Sequence, residues 1–94
     1  MSERIENLRT AIETLHKFKA AHERFVPVVE MFGDKTVWEG VVESFALSGH
    51  PKAKRCHAWS YQDKGRTKYV NVLEIPPVIS PQTAVRVAIL ANNI

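Results

Sequence analysis

The sequence predicts a single α+β domain in which a three-stranded antiparallel β-meander packs with an N-terminal and a C-terminal helix, in the order αβββα. Three runs rich in β-branched and aromatic residues lie between residues 36 and 75, and such runs are typical of strands. Turn signals at residues 48–51 and 63–66 separate them. Both turns are too short to hold a crossover helix, so we expect antiparallel pairing.

An amphipathic helix is predicted before the meander. Ser2 is a favourable N-cap, and Glu3 suits a first turn because a carboxylate is stabilised there by the helix dipole. Apolar residues then recur at spacings of three and four to about His22, which predicts one apolar helical face; they are Ile5, Leu8, Ile12, Leu15 and Phe18. This face is either plain core packing or, in its N-terminal half, also a contact with a second copy or a partner helix.

Residues 25–32 are predicted to form either a short helical turn that begins at Pro27 or an irregular edge segment. Proline has no backbone N–H and restricts the residue before it, which argues against a regular element there. The Gly33, Asp34 and Lys35 sequence is the expected turn into the sheet.

The three predicted strands cover about Val37 to Leu47, Lys54 to Gln62 and Thr67 to Ile75. Apolar residues occur at both parities, so both faces of the sheet require cover. Gly40 is expected to mark a bulge that switches faces within the first strand. We expect two layers, with both helices on one face, which leaves the other face for a partner or a second subunit.

A second helix is predicted to begin at Ser80 and Pro81, an N-cap followed by a residue suited to the first helical position. It follows an extended linker, residues 76–79, and runs to about Ala91. Asn92 and Asn93 are expected to end it.

Composition limits the function classes. The chain has 94 residues with 45% hydrophobic residues, which predicts one ordered domain, residues 1–94. No apolar run approaches the ~20 residues that span a bilayer, and the charged N-terminus does not resemble a secretory signal. Cys56 is the single cysteine, so no internal disulfide is expected, which fits a cytoplasmic protein.

No residue pattern predicts catalysis. Cys56 and His57 are adjacent on a strand, so their side chains point to opposite faces and cannot work as nucleophile and base. Glu39 and Glu43 lie about 13 Å apart on a strand, too far for direct acid–base cooperation. No Cys or His spacing suits zinc, and no phosphate-binding loop is present. We therefore predict a protein that is not an enzyme and has no cofactor or metal.

Positive charge is concentrated in the second half. Residues 1–49 carry six Lys and Arg against eight Asp and Glu, whereas residues 50–94 carry seven against two. A basic stripe on the β-hairpin is predicted to bind a partner; its members are Lys52, Lys54, Arg55, His57, Lys64, Arg66 and Lys68. Trp59, Tyr61 and Tyr69 lie between them and are predicted stacking or interface residues.

Other interpretations of this stripe stay open. The two aromatic residues of the second strand can be core, and the lysines can simply solvate an exposed hairpin and prevent edge pairing. The turns at residues 48–53 and 63–66 lie at opposite ends of the second strand, some 30 Å apart, so the charges form a stripe and not a pocket.

Three short sequences carry a resemblance: Trp-Glu-Gly-Val-Val at residues 38–42, Phe-Ala-Leu-Ser-Gly-His-Pro at 45–51 and Ala-Trp-Ser at 58–60. They resemble a pattern in short, uncharacterised bacterial proteins over about residues 37 to 90, which implies no particular activity. In size, basic balance and lack of catalytic groups, the chain is also similar in type to the small anti-CRISPR proteins of phages and mobile elements. That likeness implies an inhibitor, and it assigns no residues.

We therefore expect a small binding protein, an inhibitor or accessory factor that occupies a surface of a nucleic-acid-processing complex such as a CRISPR effector. Its partner is an acidic protein surface or nucleic acid, and the basic stripe supplies steering and contacts. The alternative is direct nucleic-acid binding by the hairpin. An enzyme or small-ligand binder is a third class, which requires a pocket with converging polar groups. Apolar residues on both strand faces also predict a homodimer.

Overall fold

Four strands, and not the three predicted, form one antiparallel sheet in the computed structural model, which describes residues 2–91. The elements are α1 (Glu3–His16), β1 (Lys19–Phe32), β2 (Lys35–Ser48), β3 (Arg55–Asp63), β4 (Arg66–Leu73) and α2 (Pro81–Leu90). The strands lie in the order β1-β2-β3-β4, so every neighbour in the sheet is also a neighbour in sequence. The α+β class and the flanking helices are confirmed.

The additional strand is β1, which replaces the predicted end of the first helix and the irregular segment after it. Helix α1 ends at His16 because Lys17 adopts a left-handed φ of 66° and its N–H caps the helix by donating to the Glu13 carbonyl. Phe18 therefore leaves the helical face and packs on His50, with ring centroids 4.8 Å apart. Pro27 fits within β1 because this strand is at the sheet edge, where a missing N–H is tolerated.

The sheet consists of two hairpins joined over a short length. β1 and β2 are 14 residues each, but β2 pairs with β3 only from Glu43 to Ala46. The β3–β4 hairpin turns at Lys64 and Gly65, whose φ values of 54° and 78° are those of a two-residue type I′ turn. The outer half of the β1–β2 hairpin is therefore free of β3.

The bulge predicted at Gly40 is not there. Gly40 pairs in register with Val28, and the register shifts lie instead at His22/Arg24 and at Glu30/Met31. A Cβ added to Gly40 would lie 2.9 Å from the Trp38 ring. The glycine therefore makes room for this indole, which packs edge-on against Trp59 at 5.5 Å.

The helices cover opposite faces of the sheet, so the fold has three layers and the predicted placement of both helices on one face is wrong. Strand residues of alternating parity contribute to two separate cores. The α1 core contains Leu8, Ile12, Ala20, Phe45, Cys56 and Ala58. The α2 core contains Val28, Val42, Trp59, Val70, Val78, Ala84, Val85 and Ala88. Leu15, expected in the α1 core, is 64% exposed.

Helix α2 begins as predicted. Ser80 is the N-cap, its side chain accepts from the Thr83 N–H, and Thr83 in turn accepts from the Ser80 N–H, which is a capping box. Pro81 occupies the first helical position. The helix end expected at Asn92 and Asn93 lies outside the described residues.

Candidate functional site: a lysine end of the sheet

The predicted basic stripe is interrupted at its centre. His57 is fully buried, so it cannot contact a partner at the surface of this fold. Arg55 is occupied within the protein, because its Nε donates to Glu23 at 2.8 Å and its guanidinium lies 3.9 Å from Glu74. These two carboxylates raise the pKa of Arg55, with the Glu23 hydrogen bond as the main cause. The stripe is thus divided into two separate groups of cations.

The two groups lie at opposite ends of β3. Lys52 and Lys54 precede this strand, whereas Lys64, Arg66 and Lys68 surround the turn after it, and all five are exposed. Nine residues of strand place the groups about 27 Å apart. A partner that contacts one group must therefore be large to reach the other.

The three predicted stacking residues differ in accessibility. Trp59 is 2% exposed and belongs to the α2 core. Tyr61 is half-buried against the same core. Tyr69 is 41% exposed and remains available to a partner.

The structure adds two lysines that sequence reasoning missed. Lys19 is paired across the β1–β2 hairpin with Ser48, and Lys17 lies two residues before it. Phe18 packs on His50, and the His50 imidazole accepts from the N–H groups of residues 52 and 53 at 3.0 and 2.9 Å. These contacts bring two chain segments to one end of the sheet.

We call this region the lysine end; its members are Lys17, Lys19, Lys52 and Lys54. All four are exposed. The nearby Glu13 carboxylate accepts from the Ala20 N–H at 2.8 Å and so is turned toward the backbone of β1. The signal that could have found Lys17 and Lys19 is a hairpin around the Gly33–Asp34 turn, since counting outward from it pairs residue 19 with residue 48.

Arginines and lysines are used differently in this protein. Four of the six arginines form ion pairs: Arg4 with Glu43, Arg9 with Glu6, Arg55 with Glu23 and Glu74, and Arg86 with Glu30. Among residues 2–91, no lysine has a carboxylate oxygen within 4.0 Å. The fold thus uses guanidinium groups, which match carboxylates in geometry, and leaves the ammonium groups in water.

A buried polar cluster connects β2, β3 and the segment after β4. The Ser44 hydroxyl and the Glu74 carboxylate each lie 2.8 Å from one nitrogen of the His57 ring. Because an ionised carboxylate can only accept, His57 Nε2 carries the proton and donates to Glu74, and Nδ1 accepts from Ser44. Burial lowers the pKa of His57, although the Glu74 hydrogen bond opposes this effect.

Ser44, His57 and Glu74 are the residue types of a hydrolytic triad, but the Ser44 hydroxyl is not accessible to a substrate. Ser44 and His57 are both 0% exposed, so a substrate cannot reach the hydroxyl. Cys56 is also buried, and burial raises the pKa of its thiol to about 12, which removes it as a nucleophile at neutral pH. The cluster is suited to holding β2, β3 and the segment after β4 together.

A depression of about 380 Å³ lies beside Glu74. Its Arg55 already pairs with Glu23 and Glu74, and Arg24 and Ile79 complete its lining. Within residues 2–91, no group of three or more His, Cys, Asp or Glu side chains is placed to hold a metal ion. In the same part of the chain, neither helix has the length and apolar character needed to cross a membrane.

Comparison with protein families, with curated proteins and with solved structures found no match to this chain.

Proposed function

We propose that this chain is a small non-enzymatic binding protein whose lysine end attaches to a negatively charged surface of a nucleic-acid-processing complex, as an inhibitor or accessory factor. A CRISPR effector complex is one example of such a partner, suggested by the similarity in type between this chain and anti-CRISPR proteins. The observation that carries the proposal is the gathering of four exposed lysines, from two distant chain segments, at one end of the sheet.

Electrostatics supports this surface over the rest of the molecule. Ammonium groups that lack an internal carboxylate are free to pair with a partner, and clustered charge of one sign accelerates the encounter with the opposite sign. Arginines that already form ion pairs would have to give up those contacts first. The other predicted residues, Lys64, Arg66 and Lys68, stay in the proposal as a second contact group for a partner broad enough to reach them.

The experiment compares two variants with the same change in net charge. One reverses two members of the lysine end, with Lys19 and Lys52 replaced by Glu. The matched control reverses two exposed cations outside both contact groups, Arg24 and Lys35. Each tagged protein captures partners from a nuclease-treated host extract, which are identified by mass spectrometry. We expect the lysine-end variant to lose a partner that the wild type and the control retain.

Equal loss in both variants would mean that net charge, and not this surface, governs binding. Retention by both would remove the lysine end as the binding site. Circular dichroism of all three proteins verifies that the fold is intact.

Direct nucleic-acid binding is the second candidate, favoured by the exposed Tyr69 ring on the same β3–β4 hairpin as Lys64, Arg66 and Lys68. Strand alternation places this ring on the opposite face from Arg66 and Lys68, so only a strand that wraps the hairpin would contact both. Fluorescence anisotropy with labelled duplex DNA, single-stranded DNA and RNA tests it over a range of salt concentrations. Phosphate contacts predict an affinity that falls steeply as salt rises, for any sequence. Absence of binding to all three at low salt would eliminate this candidate and leave the acidic protein surface.

A further inference from the structure

The outer half of the β1–β2 hairpin carries an apolar surface that α1 leaves uncovered. Cross-strand pairing places Phe25, Pro27 and Val29 on the same face as Glu43, Val41 and Glu39 respectively. Arg4 of α1 reaches this face at Glu43. Opposite Glu43 and from there toward the turn, the apolar side chains on this face are exposed, with Phe25 at 63%, Val29 at 47% and Val41 at 39%.

We propose that a second copy of this chain packs on this surface, which we call the open hairpin face, to form a symmetric homodimer. The face consists of Phe25, Pro27, Val29 and Val41. This inference does not depend on the lysine end, which lies at the other end of the hairpin.

The exposed area fits one half of a dimer interface. The four side chains expose on the order of 300 Å² of apolar surface, the size of the largest continuous patch on a typical monomer, and such patches are often functional. A standard interface buries about 800 Å² per partner, a little over half of it apolar, or roughly 450 Å². The open hairpin face therefore supplies about two thirds of the apolar part that such an interface needs.

Charge favours a second copy as the occupant. Glu39 projects from the face, is exposed and has no cation within 4.0 Å among the described residues. Arg4, at the inner end of the same face, is 49% exposed although it pairs with Glu43. A two-fold axis through the Pro27–Val41 pair brings the Glu39 of each copy toward the Arg4 of the other. A symmetric contact makes this pairing twice.

The contact uses the face of the hairpin because its edge is interrupted. β1 is an edge strand, which could otherwise add a strand from another chain. Pro27 lies in the middle of β1 and has no N–H to donate, and register shifts occur at His22/Arg24 and Glu30/Met31. Face-to-face packing of two sheets about 10 Å apart avoids these interruptions.

Sedimentation velocity of the whole chain tests the proposal. We expect the wild type to dimerise with a dissociation constant on the order of 10 µM. Val29→Lys should raise this constant at least tenfold, because it places a charge within the apolar face, next to the Pro27–Val41 pair. The matched control is Ile79→Lys, which changes a side chain that is 70% exposed away from the face, and it should leave the constant within twofold.

A second pair of variants tests the charge contact. Glu39→Lys should weaken the dimer at least tenfold because it faces Arg4 of the other copy, whereas Asp34→Lys at the hairpin turn should not. If Val29→Lys does not fold, Val41→Lys on the neighbouring strand provides the same test.

A wild type that stays monomeric at ~300 µM would overturn the proposal and leave the face to a different protein. A dimer that is equally stable in the Val29→Lys and Ile79→Lys variants would also overturn it, because the copies would then meet through another surface.

Discussion

His57 lies at the centre of a buried hydrogen-bonded chain, and its chemistry shows why a cation in a basic sequence run need not be a binding residue. Its ring joins Ser44 of β2 to Glu74 after β4. Burial lowers its pKa, and the positive charges of Arg24 and Arg55 act in the same direction. The ring is therefore held neutral in the folded state near neutral pH.

This lowered pKa predicts a pH-dependent stability. Above the ordinary His pKa of 6.5, the imidazole is neutral in both states and the contribution of His57 is complete. As pH falls below 6.5, the unfolded chain binds a proton that the folded protein resists, so the free energy of unfolding decreases. Urea unfolding at pH 7.5 and pH 5.5 should show this decrease in the wild type, and a smaller one in His57→Gln. Equal decreases in both proteins would contradict it.

Two arginines of α1 form ion pairs that differ in how deeply the partner carboxylate is buried. Arg4 pairs with Glu43, which is 1% exposed and also accepts from His22 at 2.7 Å. Arg9 pairs with Glu6, and both of those side chains are more than a third exposed. A carboxylate that loses its cation in the interior has no water to replace it, whereas one at the surface does.

We therefore expect Arg4→Ala to lower the free energy of unfolding by about 1–3 kcal/mol. This loss is smaller than that for breaking a fully buried ion pair, because Arg4 is half-exposed. Arg9→Ala, which removes the same side chain from the same helix, should cost less than about 0.5 kcal/mol. Chemical denaturation of both variants decides the matter, and equal costs would show that Glu43 does not depend on Arg4.

At the scale of elements, the β1–β2 hairpin is where the structure departs most from expectation. The first helix, the strands β2 to β4 and α2 were predictable because each has local signals such as caps, turns and β-branched runs. β1 lacked such a signal at its start, because Lys19–Arg24 (KAAHER) reads as a continuation of a helix, and its centre contains proline. Only pairing with β2 along 14 residues makes this segment a strand, and pairing is not visible in local sequence.

Gly40 tests the packing of this hairpin. Gly40→Ala should cost about 1–2 kcal/mol of unfolding free energy, because the added methyl group meets the Trp38 ring, which is itself held against Trp59. The same substitution in a Trp38→Leu background should be neutral or slightly stabilising, since alanine restricts the unfolded chain more than glycine does. A similar cost in both backgrounds, measured by urea unfolding, would show that contact with Trp38 is not the reason for glycine.

At the scale of the whole molecule, charge is separated by residue type and by position. Three arginines, Arg4, Arg55 and Arg86, join different elements through ion pairs, and lysines remain at the surface, four of them at one end. The sequence predicted Lys52 and Lys54 as members of a basic stripe, and both side chains are exposed. That Lys17 and Lys19 join them follows only once β1 is recognised as the partner of β2. The burial of His57 was not predictable, because it requires knowing which strand face the α2 core covers.

The most direct test of the lysine end follows all seven lysines in one experiment. Acetylation by a limiting amine-reactive reagent is quantified by mass spectrometry for each lysine, in the free protein and in its captured complex. The account predicts that modification of Lys17, Lys19, Lys52 and Lys54 decreases severalfold in the complex, while Lys35 reacts as before. Unchanged modification of these four lysines in a complex that protects other parts of the surface would contradict the account.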